Sequence, residues 1–178
     1  MRAIVVYESM FGNTHVVAER IAEGIGTVME TSVMSLHEAP ADVIDDADLV
    51  VVGGPTHVHG MSNRRSREGA VDMAAEDDEL ELDPDALGDG LRDWFDTLAD
   101  DVGGGRLAAA FDTRFHATTL LTGQASKGIA KRLRAHGFRL ALDHESFFVD
   151  KSNHLEPHEA ERASEWGRRV AETAQTVR

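Results

Sequence analysis

Short β-branched runs alternate along this chain with longer stretches whose apolar residues recur every three to four positions. That alternation is the signature of a parallel sheet with crossover helices. Four runs read as buried strands: 3–7, 31–34, 49–52 and 107–111, with a fifth strand within 138–149. Val17, Ile21 and Ile25 form one helical stripe behind Asn13 and Thr14, a polar pair suited to cap its start, and Gly24 and Gly26 suit its end. Leu91, Trp94, Phe95 and Leu98 have the spacing of a core-facing helix, and Ile129 and Leu133 anchor another whose outer face carries Lys127, Lys131, Arg132 and Arg134. Pro157 fits the first turn of a last helix that buries Ala163, Trp166 and Val170. Residues 41–44 hold at most a short helical turn.

One stretch breaks the alternation. Residues 72–89 contain nine acidic side chains, no basic ones, and few large apolar groups beyond Leu80, Leu82 and Leu87. Such a composition predicts a mobile acidic insertion. At 178 residues, with no internal repeat, the chain predicts a single domain over 1–178.

Charge narrows the partners. The formal net charge is −14, which disfavours nucleic acid and anionic membrane surfaces. With no cysteine there is no thiolate nucleophile, cysteine-ligated zinc or iron–sulfur cluster, so any redox chemistry must come from a bound cofactor. No apolar run reaches membrane-spanning length, and the expected location is cytoplasmic. Lysine occurs only at Lys127, Lys131 and Lys151.

In an open parallel sheet, ligands bind beyond the carboxyl ends of the strands. The loop Glu8-Ser9-Met10-Phe11-Gly12-Asn13-Thr14 leaves the first strand there. Its hydroxyls, its glycine and the amides opening the next helix suit a phosphate monoester, as they also suit a plain turn and cap. Fixed dipoles act at contact range, whereas net charge is screened beyond about 8 Å. The third strand runs into Gly53-Gly54-Pro55-Thr56-His57-Val58-His59-Gly60, where small residues bring backbone close to a ligand. Phe111-Asp112-Thr113-Arg114-Phe115 leaves the fourth strand. His57 and His59 lack a third ligand nearby in sequence, so no metal site is expected; as loop histidines they would respond near neutral pH. Arg64, Arg65 and Arg67 form a basic island, either a solvated turn or a reader of an anionic partner.

Together these loops resemble the flavodoxin family. The run Ser-Met-Phe-Gly-Asn-Thr is similar to its phosphate motif through Ser9, Gly12, Asn13 and Thr14. Gly-Gly-Pro-Thr is similar to the flavin-ring loop of flavodoxin-like proteins, including the quinone-reductase branch. The resemblance implies an α/β flavodoxin-like three-layer sandwich, a five-stranded parallel sheet of order 2-1-3-4-5 with helices on both faces, and FMN as cofactor. It implies cofactor contacts from Ser9, Met10, Phe11, Gly12, Asn13 and Thr14, from Pro55, Thr56, His57, Val58, His59 and Gly60, and from Asp112, Thr113, Arg114 and Phe115. Gly60 takes the place of the family's flipping peptide, and His57, His59 and Asp112 are the candidates for proton delivery. Phe11 stands where the motif usually has a second hydroxyl, so one phosphate contact is lost or passes to an amide. No tryptophan–tyrosine ring sandwich is available, which leaves His57, Val58 or His59 on one side and Phe115 or His116 on the other.

The expected function is an FMN-binding carrier of electrons between redox partner proteins. The alternatives are an FMN-dependent NAD(P)H:quinone reductase and a flavin-free module acting by protein interaction.

Overall fold

Alternation along the strands decides the layering. In the computed structural model, which describes residues 1–57, 60–77, 80–84, 86–118 and 122–177, β1 (Arg2–Tyr7) lies between β2 (Glu30–Ser35) and β3 (Leu49–His57). β3 pairs in parallel with β5 (Leu107–Phe115) and antiparallel with the two-residue β4 (Gly60–Met61). The outermost position beside β5 is shared by two short parallel segments, β6 (Arg139–Leu140) and β7 (Glu145–Val149). The main path is therefore the expected 2-1-3-4-5 order. Its fifth strand is interrupted between Leu140 and Glu145, and β4 adds a short hairpin.

Side chains two apart share a face. Ala3, Val5, Leu49, Val51, Ala109 and Phe111 point to one core, closed by α1 (Asn13–Gly26) and α5 (Glu159–Thr176). Ile4, Val6, Val50, Val52, Ala108 and Ala110 point to the other, closed by α3 (Leu91–Thr97) and α4 (Ala125–Ala135). The helical stripes read from sequence are the buried ones: Val17, Ile21 and Ile25 on α1, Ile129 and Leu133 on α4, and Ala163, Trp166 and Val170 on α5. Both tryptophans lie in the core, Trp94 donating its indole N–H to the carbonyl of Ala39 at 2.9 Å and Trp166 packing edge-on against Phe111 and Phe147.

Three expectations about local structure change. α1 is capped by Gly12, in the left-handed region at φ 84°, with no side-chain cap, so Asn13 and Thr14 lie inside the helix. The cap of α5 is His158, which puts Pro157 just before the helix. Residues 64–76 form a helix, α2 (Arg64–Glu76), where a basic turn and an acidic loop were expected. Asn63 and Ser66 build a reciprocal capping box at its start. Beyond α2 the acidic stretch continues as a strap on the first loop: the Asp83 amide donates to the Met10 carbonyl at 2.8 Å, and Leu82 and Ala86 pack with Met10, Phe11 and Ala70. Among the described residues, no helix is long and apolar enough to cross a membrane.

Gly24 and Gly167 let α1 and α5 touch backbone to backbone. A Cβ on Gly24 would run into the carbonyl of Ser164, and one on Gly167 into the carbonyl of Ile21. Gly167→Ala should therefore destabilise the fold by about 1–3 kcal/mol in urea unfolding, the usual range for overpacking. Gly26→Ala, with open space around the new methyl, should stay within about 1 kcal/mol of the parent.

Candidate functional site

The carboxyl ends of β1, β3 and β5 open into a cleft of about 840 Å3. Met10, Phe11, Asn13 and Thr14 line one part of it, Pro55, Thr56 and His57 a second, and Thr113, Arg114 and Phe115 a third. These ten belong to the expected site. The structure also brings in α2, through Arg65 of the basic island and through Ala70 and Met73, which carried no sequence signal for a ligand, and the turn after β7 through Lys151, Ser152 and Asn153, which carried none either.

The first loop is built to hold hydroxyls and amides in place. The Ser9 hydroxyl accepts the Gly12 amide at 3.1 Å, which tightens the turn and leaves the hydroxyl's own hydrogen to donate. Thr14 and Thr113 hydroxyls share one bond at 2.7 Å, so one of the two protons remains available. No acidic side chain enters the first turn of α1, and no side chain caps it. The positive end of its dipole thus remains for an anion. Phe11 packs against the cluster formed by Met10, Ala70 and Ala86. Its side chain is consumed by apolar packing, so no hydroxyl replaces the one missing there.

The second loop differs from its sequence reading. Gly53 and Gly54 make room for core side chains: the Phe111 ring lies on Gly53 and Leu91 on Gly54. Their smallness serves packing and not ligand approach. Thr56 donates to the Asp112 carboxylate at 2.9 Å and accepts the Ala125 amide at 2.9 Å. Asp112 also accepts the Ser126 amide at 2.8 Å and is fully buried. It anchors the ring loop to the start of α4 and does not line the cleft, which argues against the expected proton delivery from it. Ser9, Gly12 and Gly60 likewise shape the loops from behind the lining. Val58 and His59 lie outside the described residues. His57 is half-buried, and burial, reinforced by the nearby positive charge of Arg67, pushes its pKa below the ordinary 6.5. It is therefore neutral at neutral pH, in place of the near-neutral titration expected.

On the third side, Arg114 is buried, donating to the Ala117 carbonyl at 2.7 Å and lying over the Phe148 ring at 4.9 Å. Phe115 is half exposed at the rim. His116 stacks on Phe148 and pairs with Glu156 at 3.0 Å, away from the cleft lining.

A buried polar network fixes the loops to one another. The Glu8 carboxylate accepts the Ser62 hydroxyl and, at 2.9 Å, the Leu91 amide; burial raises its pKa above 4.5. Arg67 donates to Ser62 at 3.2 Å and pairs with Asp93 at 3.1 Å. The arginine island thus divides three ways: Arg64 is exposed and paired with Glu68, Arg65 faces the cleft, and Arg67 is structural.

A cleft beyond the strand ends of a 2-1-3-4-5 sheet, with an uncapped helix start beside it, is the architecture of a doubly wound α/β protein of flavodoxin-like fold. Residues 5–90 match the family model for flavodoxin. No curated protein matches the sequence significantly. Among solved structures, the fold is similar to Flavodoxin 2 from Bacillus cereus, with 20% identity over 97% of this chain and 99% of that one and a TM-score of 0.66. It is also similar to a flavodoxin from the domain Archaea (21% identity, 98% and 99% covered, TM-score 0.65). A WrbA-like flavodoxin from Agrobacterium tumefaciens gives 18% identity, 99% of both chains covered and a TM-score of 0.64. The chain has the flavodoxin-like fold.

Two measurements check the roles assigned here. Arg67→Met should cost about 2 kcal/mol of stability by removing the buried guanidinium that bonds Ser62 and offsets the Glu8 carboxylate, whereas Arg64→Gln should change it by less than about 1 kcal/mol. Because the folded pKa of His57 lies below the unfolded one, the unfolded chain binds more protons just below pH 6.5. This group's contribution to stability is complete above that pH and is lost as pH falls towards the folded pKa. His57→Gln should flatten that part of the stability–pH curve.

Proposed function

We propose that the protein binds FMN in this cleft and carries electrons between redox partner proteins. The observation that carries the reading is the juxtaposition of an uncapped helix start, with a donor hydroxyl left in the Thr14/Thr113 pair, and a wide cleft whose rim holds Phe115. The volume, about 840 Å3, is ample for a flat cofactor with a phosphate tail. When bound, FMN would supply one- and two-electron chemistry that cysteine-free protein side chains cannot. The residues would orient it. Amides opening α1 and the Thr14 hydroxyl would hold the phosphate, with Thr113 and Phe115 along one side and Pro55, Thr56 and His57 along the other. His57, kept neutral, can donate a ring N–H hydrogen bond to the ligand without adding charge to the site. Similar structures support this reading: they include an oxidised flavodoxin from Bacillus cereus and a two-electron reduced flavodoxin from Megasphaera elsdenii.

A second reading, an NAD(P)H:quinone reductase, is favoured by the apolar extension of the cleft along Ala70, Met73 and Leu80, which leaves room for a second flat molecule, and by Arg65 beside it.

Purified protein should take up FMN with a shift in its visible absorbance. Phe115→Ala should weaken FMN and riboflavin binding alike, by roughly three- to ten-fold for loss of one aromatic contact. Failure of the wild-type protein to bind either flavin would sink both readings. Steady NAD(P)H oxidation with a benzoquinone would favour the reductase, and reduction only through a separate reductase the carrier.

A further inference from the structure

We infer that Lys151, on the turn after β7, completes the phosphate end of the cleft and makes up for the hydroxyl missing at Phe11. The inference rests on the FMN reading above. Phosphate binding in this cleft begins with an incomplete set of donors, because Phe11 faces the cluster of Met10, Ala70 and Ala86 and offers nothing polar. The compensating segment comes from 140 positions further along the chain: the Asn13 side-chain amide donates to the Asn153 carbonyl at 2.7 Å. That bond seats the turn against the first helical turn of α1, and Lys151, Ser152 and Asn153 line the same cleft as Phe11, Asn13 and Thr14.

The turn has its own order. One oxygen of Asp150 accepts the amides of Ser152 and His154, both at 2.9 Å, and Asn153 sits at φ 58°, a left-handed position that asparagine tolerates well. Asp150 is thereby engaged with backbone amides and with His154, and Lys151 makes no ion pair with any described residue. The two other lysines, Lys127 and Lys131, lie on α4. In a chain of net charge −14, the third is thus an uncompensated cation on the ligand-facing turn. An ammonium is a compact point charge on a flexible stem, able to follow a phosphate dianion without a fixed geometry. The hydroxyl of Ser152 adds a neutral donor on the same turn.

The test compares FMN with riboflavin, which lacks the phosphate, by calorimetric titration of the wild-type protein, Lys151→Gln and Lys151→Arg at two salt concentrations. Lys151→Gln should weaken FMN by about five-fold, the scale of one exposed ion pair, leave riboflavin unchanged, and flatten the salt dependence of the FMN constant. Lys151→Arg should restore most of the loss. Equal weakening of both flavins, or of neither, would overturn the role of Lys151 while leaving FMN binding intact. Wild-type protein that binds neither flavin would instead overturn the FMN reading, and this inference with it.

Discussion

The carboxylate of Glu8 is the tie on which the geometry of the cleft depends. Its backbone amide extends the β1–β3 pairing by donating to Gly53 at 3.0 Å. Its side chain then reaches past the sheet to Ser62, at the junction of β4 and α2, and to the first amide of α3. One residue thus joins the phosphate loop, the hairpin of the ring loop and the helix behind them. Burying a carboxylate is costly, as the raised pKa records. The cost is offset by two donated hydrogen bonds and by the guanidinium of Arg67 nearby, whose other end is held by Asp93. An apolar side chain at position 8 would pack more cheaply but would leave the Leu91 amide and the Ser62 hydroxyl without this partner. Asp112 repeats the device on the other side, joining Thr56 to the start of α4.

Layering was legible in the sequence because it depends on local periodicity, whereas the strand order came only with the family resemblance. Ile4 against Val5, or Ala109 against Ala110, sorts to opposite faces by position alone, and the stripes on α1, α4 and α5 need no long-range information. Ten of the sixteen cofactor contacts implied by resemblance line the cleft, for the loops that leave strand ends are fixed once the strands are known. What escaped depends on contacts between distant residues. Gly53 looks like a ligand-facing glycine until Phe111, on another strand, is placed against it. Arg67 looks like a surface charge until Ser62 and Asp93 close around it. α2 shows no apolar stripe beyond Ala70, Val71 and Met73, and its one sequence signal was the Asn63/Ser66 capping pair.

Net charge is a poor guide to the charge a ligand meets here. The chain carries −14 in total, yet the charged side chains of the cleft lining are Arg65, Arg114 and Lys151 against Asp77. Many of the carboxylates lie at the exposed surface, where solvent and salt screen them within roughly a Debye length. Arg114 is largely occupied in holding the backbone beyond β5 and in stacking on Phe148. The cations left to act on a ligand are therefore Arg65, from α2, and Lys151, from the turn after β7.

The two ends of the cleft offer different kinds of affinity. Trp94 and Trp166 are held in the core, and Tyr7 is buried against His15, so none of these three lines the ring end. The ring end instead offers the half-exposed Phe115 and a wall of Ala70, Met73 and Leu80 contributed by α2 and the residues after it. Aliphatic and thioether groups give contact area and adapt to different flat molecules, but they lack the fixed geometry of stacked rings. In the proposed FMN reading, discrimination in favour of the phosphorylated flavin falls on the other end, where the Asn13–Asn153 bond seats the Lys151 turn against the start of α1. A flavin so anchored by its phosphate and loosely walled at its ring would keep one ring face approachable, which electron exchange with a partner, whether protein or small molecule, requires.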